Sequence, residues 1–547
     1  MLRLVRTLIA LTMLAAGFTV AAVLLFAHYA GEEIEPLPPS TAGSGLGATA
    51  ERLDRAWRSE WRDAGIVPAP EADDYTIVRR LSLALTGAVP SVESLRRLDL
   101  LPADADRVNA WLDHLFADQR HADYLAERLA RVYVGVEAGP FLVYRRRRMV
   151  NWLSEQLMEN RPYGELVNDL ITAEGIWTSN PAANFITVSV TQDETGESNG
   201  PDEIKLAART SRAFLGISLD CMQCHDDKFG DHWKQRDFHE LAAFFSQADL
   251  KLTGVRENDS FVYETRLHGE SDPAPVPALA PYRPDLMPES GSLRTRLAAW
   301  ITHRENEAFS RAMANRTWAL LFGRPLVDPV DDIPLEGPYP AGLDILARDF
   351  AENGHDLRRL IRLIATSPAF HRSSSTGDPG NPVTEDMENA WAAFPLTRLR
   401  PEQVAGSIVQ ASILHRLDAE SHIVRKLQRF GETNDFVTRF GDRGEDELSS
   451  EAGTIPQRLL LLNGELVEER TSPNPLMNSS TRLANLAPSD ERAVETAFLA
   501  ALTRLPTEAE RDHFVDRLAD TPRPGRPAIM ADLYWALFNS TEFSWNR

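Results

Sequence analysis

Six prolines fall between Asp272 and Pro288: Pro273, Pro275, Pro277, Pro281, Pro284 and Pro288. Each removes a backbone donor and fixes φ, so a helix cannot run through that density of them. The segment is expected to be an extended connector, 251–290, between two blocks. On both sides apolar residues recur at helical spacing. Before it, Val150, Leu153 and Leu157 share one face, and Leu166, Val167, Leu170 and Ile171 share the next. Arg161-Pro162-Tyr163-Gly164 makes the break between them. After it come Leu293, Leu297, Trp300 and Ile301, then Leu357, Leu360, Ile361 and Ile364, and near the end Phe498, Leu502, Leu533 and Leu537. There is no series of alternating strands and no internal repeat. The expected fold is predominantly α, with two helical domains behind an N-terminal membrane segment and a flexible tether.

That membrane segment is read from Leu8 to Ala27, which carry no charge, behind Arg3 and Arg6 and ahead of Glu32, Glu33 and Glu35. The arginines stay in the cytoplasm and the body goes outside. The run is longer than the apolar core of a cleaved leader and long enough to span a bilayer. His28 also spoils the small-residue pattern ahead of Ala30. An uncleaved anchor is therefore favoured over a signal peptide for residues 1–30. Residues 31–50, with PLPPSTAGSGLGATA from Pro36 to Ala50, read as the tether. Helical domains over 51–250 and 291–547 complete the division. The expected location is the periplasmic side of the cytoplasmic membrane. A mean hydropathy of −0.29 excludes a multi-span membrane protein. A net charge of −22 repels phosphate backbones, so no nucleic-acid partner is expected.

Both cysteines of the chain lie in Cys221-Met222-Gln223-Cys224-His225. This is the CxxCH pattern of covalent haem attachment. Two thiols three residues apart on a turn each add to a haem vinyl group, and the adjacent imidazole supplies an axial nitrogen to the iron. Cys221 and Cys224 are thus expected to hold one haem c, with His225 as axial iron ligand. Export supports this, because haem c is attached outside the cytoplasmic membrane. Two other readings stay open, a thiol redox pair and half of a zinc site. The sixth iron ligand is unknown; His232, His239 and Met287 are the candidates. Leu206, Thr210, Phe214, Phe229, Trp233, Leu241, Phe244 and Phe245 either wall a haem crevice or, as is commoner for each taken singly, belong to the core. Asp237-Phe238-His239-Glu240 reads as a helix start with an acidic cap.

Phe214-Leu215-Gly216 followed by CMQCHDDKFGDHWKQRDFHELAAFF (Cys221 to Phe245) resembles the planctomycete cytochrome-like secreted domain, domain-of-unknown-function family 1549. RRLSLALTGAVPSVESL (Arg79 to Leu95) is similar to that family's opening, and ENRPYGELVNDLITAEG (Glu159 to Gly175) to its middle. FSRAMANRTWALLFGRPLVDPVDDI (Phe309 to Ile333), DLRRLIRLIATSPAFHRSS (Asp356 to Ser374) and TIPQRLLLLNGELVEE (Thr454 to Glu469) resemble the companion family 1553. The resemblance covers about Asp73 to Phe543. It implies a secreted, cytochrome-like protein and carries the haem assignment onto Cys221, Cys224 and His225. It implies no activity. Relatives often place a second His where this chain has Asp227.

Three functions follow as expectations. The first is electron transfer to or from a protein redox partner outside the cytoplasm. The second is a haem-dependent redox enzyme with an open axial site, and the third a structural or binding module. Whether the chain is an enzyme is left open. The run Arg145 to Arg148 is either a solvated helix face or a docking patch, and Asp328, Asp331 and Asp332 read as a solvated loop.

Overall fold

The computed structural model describes residues 34–40, 45–136, 143–192, 198–227, 232–251, 253–414, 436–441, 454–474 and 478–547. The apolar run 8–27 lies outside them. Among the described residues no helix is long and apolar enough to cross a membrane.

The chain is predominantly helical. Its first half contains α1 (Gly47–Asp63), α2 (Asp74–Thr86), α3 (Val92–Asp99), α4 (Arg107–Phe116), α5 (Gln119–Val134), α6 (Arg146–Met158), α7 (Tyr163–Thr172), α8 (Glu203–Thr210) and α9 (Gln235–Ala242). The starts of α2, α3, α4 and α8 follow from local chemistry. Asp73, Ser91, Asp106 and Asp202 each accept a backbone N–H of the first turn. After the prolines come α10 (Leu293–Ile301), α11 (Glu307–Phe322), α12 (Leu343–Glu352), α13 (Leu357–Ala365) and α14 (Pro401–Ala411). The C-terminal helices are α15 (Ile455–Asn463), α16 (Glu465–Thr471), α17 (Ser479–Leu486), α18 (Asp490–Leu502), α19 (Glu508–Ala519) and α20 (Arg526–Phe538). The described strands form antiparallel pairs only. One pair joins Ala248–Lys251 to Gly254–Glu257, with Ala248 opposite Glu257.

The expected tether is corrected where it is described. Leu37 is 1% exposed, and its N–H donates to the Arg97 carbonyl at 3.2 Å. Leu46 is buried and α1 begins at Gly47. An apolar side chain docked in a core overrides the flexibility that Gly, Ser and Pro suggest.

The proline-rich segment carries no α-helix, only a 3₁₀ turn at Pro284–Leu286 and a short strand at Ala274–Pro275. The buried side chains do not divide there. One core runs from Leu37 to Phe394 and takes in α10 to α13. A second is built from Leu399 onward, joined by Leu83, Val89 and Val92 from the first half. Arg294 shows why the connector does not separate two bodies. Fully buried on α10, it donates from Nη1 to the carbonyls of Ile171 and Ala173 at 3.0 and 2.8 Å. Its Nε donates to Glu257 at 2.6 Å. It thereby satisfies carbonyls that the end of α7 leaves open.

The two cores meet at Leu85-Thr86-Gly87-Ala88-Val89-Pro90. Gly87 ends α2 with φ +68, and a Cβ there would lie 2.5 Å from the Tyr124 ring. The N–H of Val89 donates to Ser407 Oγ at 3.2 Å, and Gln403 Nε2 donates to the Leu83 carbonyl at 3.0 Å. This turn therefore docks α14, and with it the second core.

Candidate functional site

Helix α8 leads into the motif through a π-helical turn, Ser211–Leu215, a geometry often found beside functional sites. Gly216, at φ +63, closes the turn. The second half packs directly against it. A Cβ on Gly216 would lie 3.1 Å from both Ala312 of α11 and Ile333, and the Ile333 N–H donates to the Gly216 carbonyl at 2.7 Å. Buried Asn315 holds the loop that brings Ile333 there, accepting from the Val327 N–H at 3.0 Å and donating to its carbonyl at 2.8 Å.

The motif itself is a 3₁₀ turn, Asp220–Gln223, ending in a hydrogen bond from the Cys224 N–H to the Cys221 carbonyl at 3.3 Å. Leu219 and Met222 point into the core and anchor it. Cys221 and Cys224 are exposed, and both are free thiols. His225 is half-buried, with Nδ1 2.8 Å from the Asp226 carbonyl. A carbonyl can only accept, so Nδ1 is the donor of this pair, and Nε2 is the ring nitrogen not used in it.

Helix α9 fixes the back of this turn. Gln235 donates from its backbone N–H to Asp226 Oδ1 at 2.8 Å and from Nε2 to the Gln223 carbonyl at 3.1 Å. His239, 4% exposed, donates from Nε2 to the same carbonyl at 3.1 Å. Its Nδ1 accepts from the Tyr263 hydroxyl at 2.8 Å. Burial lowers the His239 pKa, against the opposing pull of the Gln223 carbonyl, which favours the neutral ring this pattern requires. Helix α9 starts three residues earlier than the sequence suggested, at Gln235 with Lys234 before it. Asp237 sits at its third position and accepts from the Lys234 N–H at 2.8 Å.

These positions sort the sixth-ligand candidates. His239 is beside the motif, but both ring nitrogens are occupied, so it braces the turn and is not free to bind iron. His232 is exposed. Met287 is partly buried next to Pro288, whose carbonyl accepts from Arg296 Nε of α10 at 2.8 Å. Tyr263 and Gln235 were not foreseen. Tyr263 lies in the expected linker and meets His239 only through the fold.

Of the two readings of the flanks, crevice wall or core, six residues follow the second. Leu206, Thr210, Phe214, Leu241, Phe244 and Phe245 are at most 1% exposed. Phe214 packs on Tyr133 and Phe185 at ring separations of 5.2 and 5.6 Å. The walls of an open crevice would face solvent; these fill the core. Trp233 is partly buried, and Phe229 lies outside the described residues. Within the arginine run, Arg146 is held by two 2.9 Å bonds to Glu127. Asp332 is close enough to Asp227 for their charges to interact. Burial, Asp331 and Asp227 raise the Asp332 pKa, against the Ser218 N–H it accepts.

The donor set fits haem c: two free thiols on one turn that reach solvent, then an imidazole with one nitrogen held by a carbonyl, as metal-binding histidines commonly are. Among the described residues no group of three His, Cys, Asp or Glu side chains is placed to hold a metal.

Residues 52–250 match the family PSCyt2, a protein of unknown function (DUF1549), and residues 293–449 match PSD1, a protein of unknown function (DUF1553). The chain carries both family matches, in that order. The CxxCH turn lies in the PSCyt2 span, while Ala312, Asn315 and Ile333, which pack behind it, lie in the PSD1 span. The resemblance over Thr454 to Glu469 falls beyond the PSD1 match. No curated protein and no solved structure matches the chain.

Proposed function

We propose that this chain is an exported c-type haem protein, anchored by residues 8–27 with its helical body outside the cytoplasmic membrane, that exchanges electrons with a protein partner. One observation carries the reading. Cys221 and Cys224 are solvent-facing free thiols on one turn, and His225 beside them has Nδ1 committed to a carbonyl, which leaves Nε2 as the nitrogen to face an iron. A haem bound there supplies a one-electron iron couple. The chain's own part is positional. Leu219 and Met222 anchor the turn, Gln235 and His239 hold the Gln223 carbonyl, and Asp226 orients the His225 ring.

A second reading, a redox enzyme with an open axial position, is favoured by the engagement of both His239 nitrogens. The test is a pyridine haemochrome assay and haem-stained denaturing gels on the exported protein. One covalent haem per chain is expected, abolished by Cys221→Ser with Cys224→Ser. Zinc without a Soret band would overturn the proposal. Ready binding of carbon monoxide by the reduced protein would move the assignment from carrier to enzyme.

A further inference from the structure

A small cavity lies away from the motif, between α5, α11, α13 and the residue that precedes α14. Its volume is about 30 Å³. Space of that size holds one or two water-sized groups. The wall is mostly apolar, with Leu129, Val132, Met313 and Ile361 among its residues, yet Arg128, Arg316 and Arg400 also line it.

The three arginines are not alike. Glu402 Oε1 lies 3.0 Å from both Arg128 Nη1 and Arg400 Nε, so one carboxylate serves two guanidinium groups. Arg316 instead donates from Nη2 to the neutral Arg212 carbonyl at 3.4 Å. Its Nε is buried with no hydrogen-bond acceptor. A buried donor left unmatched is costly, the more so on a charged group. A spherical anion would accept from it, and the neighbouring guanidinium groups would stabilise the charge.

We propose that this cavity binds one small monovalent anion, chloride or a similar halide, with Arg316 as the residue that recognises it. The site would place an anion between PSCyt2 helix α5 and PSD1 helices α11 and α13, so occupancy would strengthen the contact between the two families. It is independent of the haem assignment.

The test soaks crystals of the full chain in sodium bromide and locates bromide by anomalous scattering. A peak within hydrogen-bond reach of Arg316 is expected. In parallel, the unfolding midpoint of the full chain is followed in sodium chloride and in sodium methanesulfonate at equal ionic strength. Chloride should add a saturable rise of ~1–3 °C. Arg316→Gln should remove both the peak and the chloride-specific rise while keeping the wild-type circular dichroism. A wild-type cavity that is empty or holds only water overturns the proposal, as does a bromide peak that persists in Arg316→Gln. If that variant does not fold, the wild-type bromide map decides alone.

Discussion

His239 Nε2 lies 3.1 Å from the backbone carbonyl of Gln223, the residue next to Cys224 inside the CxxCH motif. The relationship turns a histidine that the sequence offered as an iron ligand into a brace for the turn that bears the thiols. Gln235 shares the same carbonyl, and Tyr263 locks the far nitrogen of the ring. The motif is thus held from behind by neutral hydrogen bonds while its cysteines face outward.

Substituting this brace should loosen the turn. His239→Phe removes a buried donor and leaves the Tyr263 hydroxyl unmatched, at an expected cost of ~1–3 kcal/mol. Amide exchange at Cys224 should accelerate, and His239→Gln should recover part of the loss. In haem-loaded protein the yield should fall while the axial-ligand absorption bands keep their positions. A change of spin state in His239→Gln would show that the ring binds iron after all.

Acid should destabilise the fold through two other histidines. Burial holds His121 and His355 at pKa values of about 4, below their ordinary 6.5. His121 lies 3.2 Å from the Leu85 carbonyl, and His355 packs between Phe309 and Phe350. Because the folded values are lowered, the unfolded chain binds more protons between pH 6.5 and 4. Their contribution is complete above pH 6.5 and is lost as pH falls towards 4, by at most ~3 kcal/mol each. Urea unfolding at pH 7 and pH 4.5 should show this drop, and His121→Gln should shrink it. An unchanged pH slope in that variant would reject the assignment.

Gly406 should tolerate no side chain. A Cβ there would lie 2.4 Å from the Gly87 carbonyl oxygen, which is backbone and cannot swing away. Gly406→Ala should lower stability by ~2–4 kcal/mol, chiefly in the second core. Gly47, where an added Cβ meets nothing within 4 Å, is the control. Gly47→Ala should be neutral or stabilising by about 0.5 kcal/mol in thermal unfolding.

Arg80 should resist replacement even by lysine. Fully buried, it donates to the carbonyls of Arg547 and Phe370 at 2.6 and 2.7 Å, and its guanidinium sits 3.6 Å from the centre of the Phe394 ring. Arg80→Met should cost ~3 kcal/mol or more by leaving buried carbonyls unmatched. Arg80→Lys should recover little, since an ammonium offers neither the planar fork nor the stacking face. Denaturant midpoints for the two variants within error of wild type would contradict this.

Local chemistry made much of this protein legible from its sequence. Apolar spacing gave the helices, because a 3.6-residue period is written into neighbouring positions. Cys221, Cys224 and His225 stood out because haem attachment is a chemistry of adjacent residues. The Phe309 to Ile333 segment was visible as a family resemblance, though not what it packs against. Tertiary structure decided what depends on distant residues: Leu37 docking a supposed tether, Arg294 carrying the core across the prolines, and His239 meeting Gln223 and Tyr263. It also put Phe214 and Phe244 in the core. A sequence period says which side chains leave water, but only the packed chain says what they meet, since burial and hydrogen bonding are shared by partners far apart in sequence.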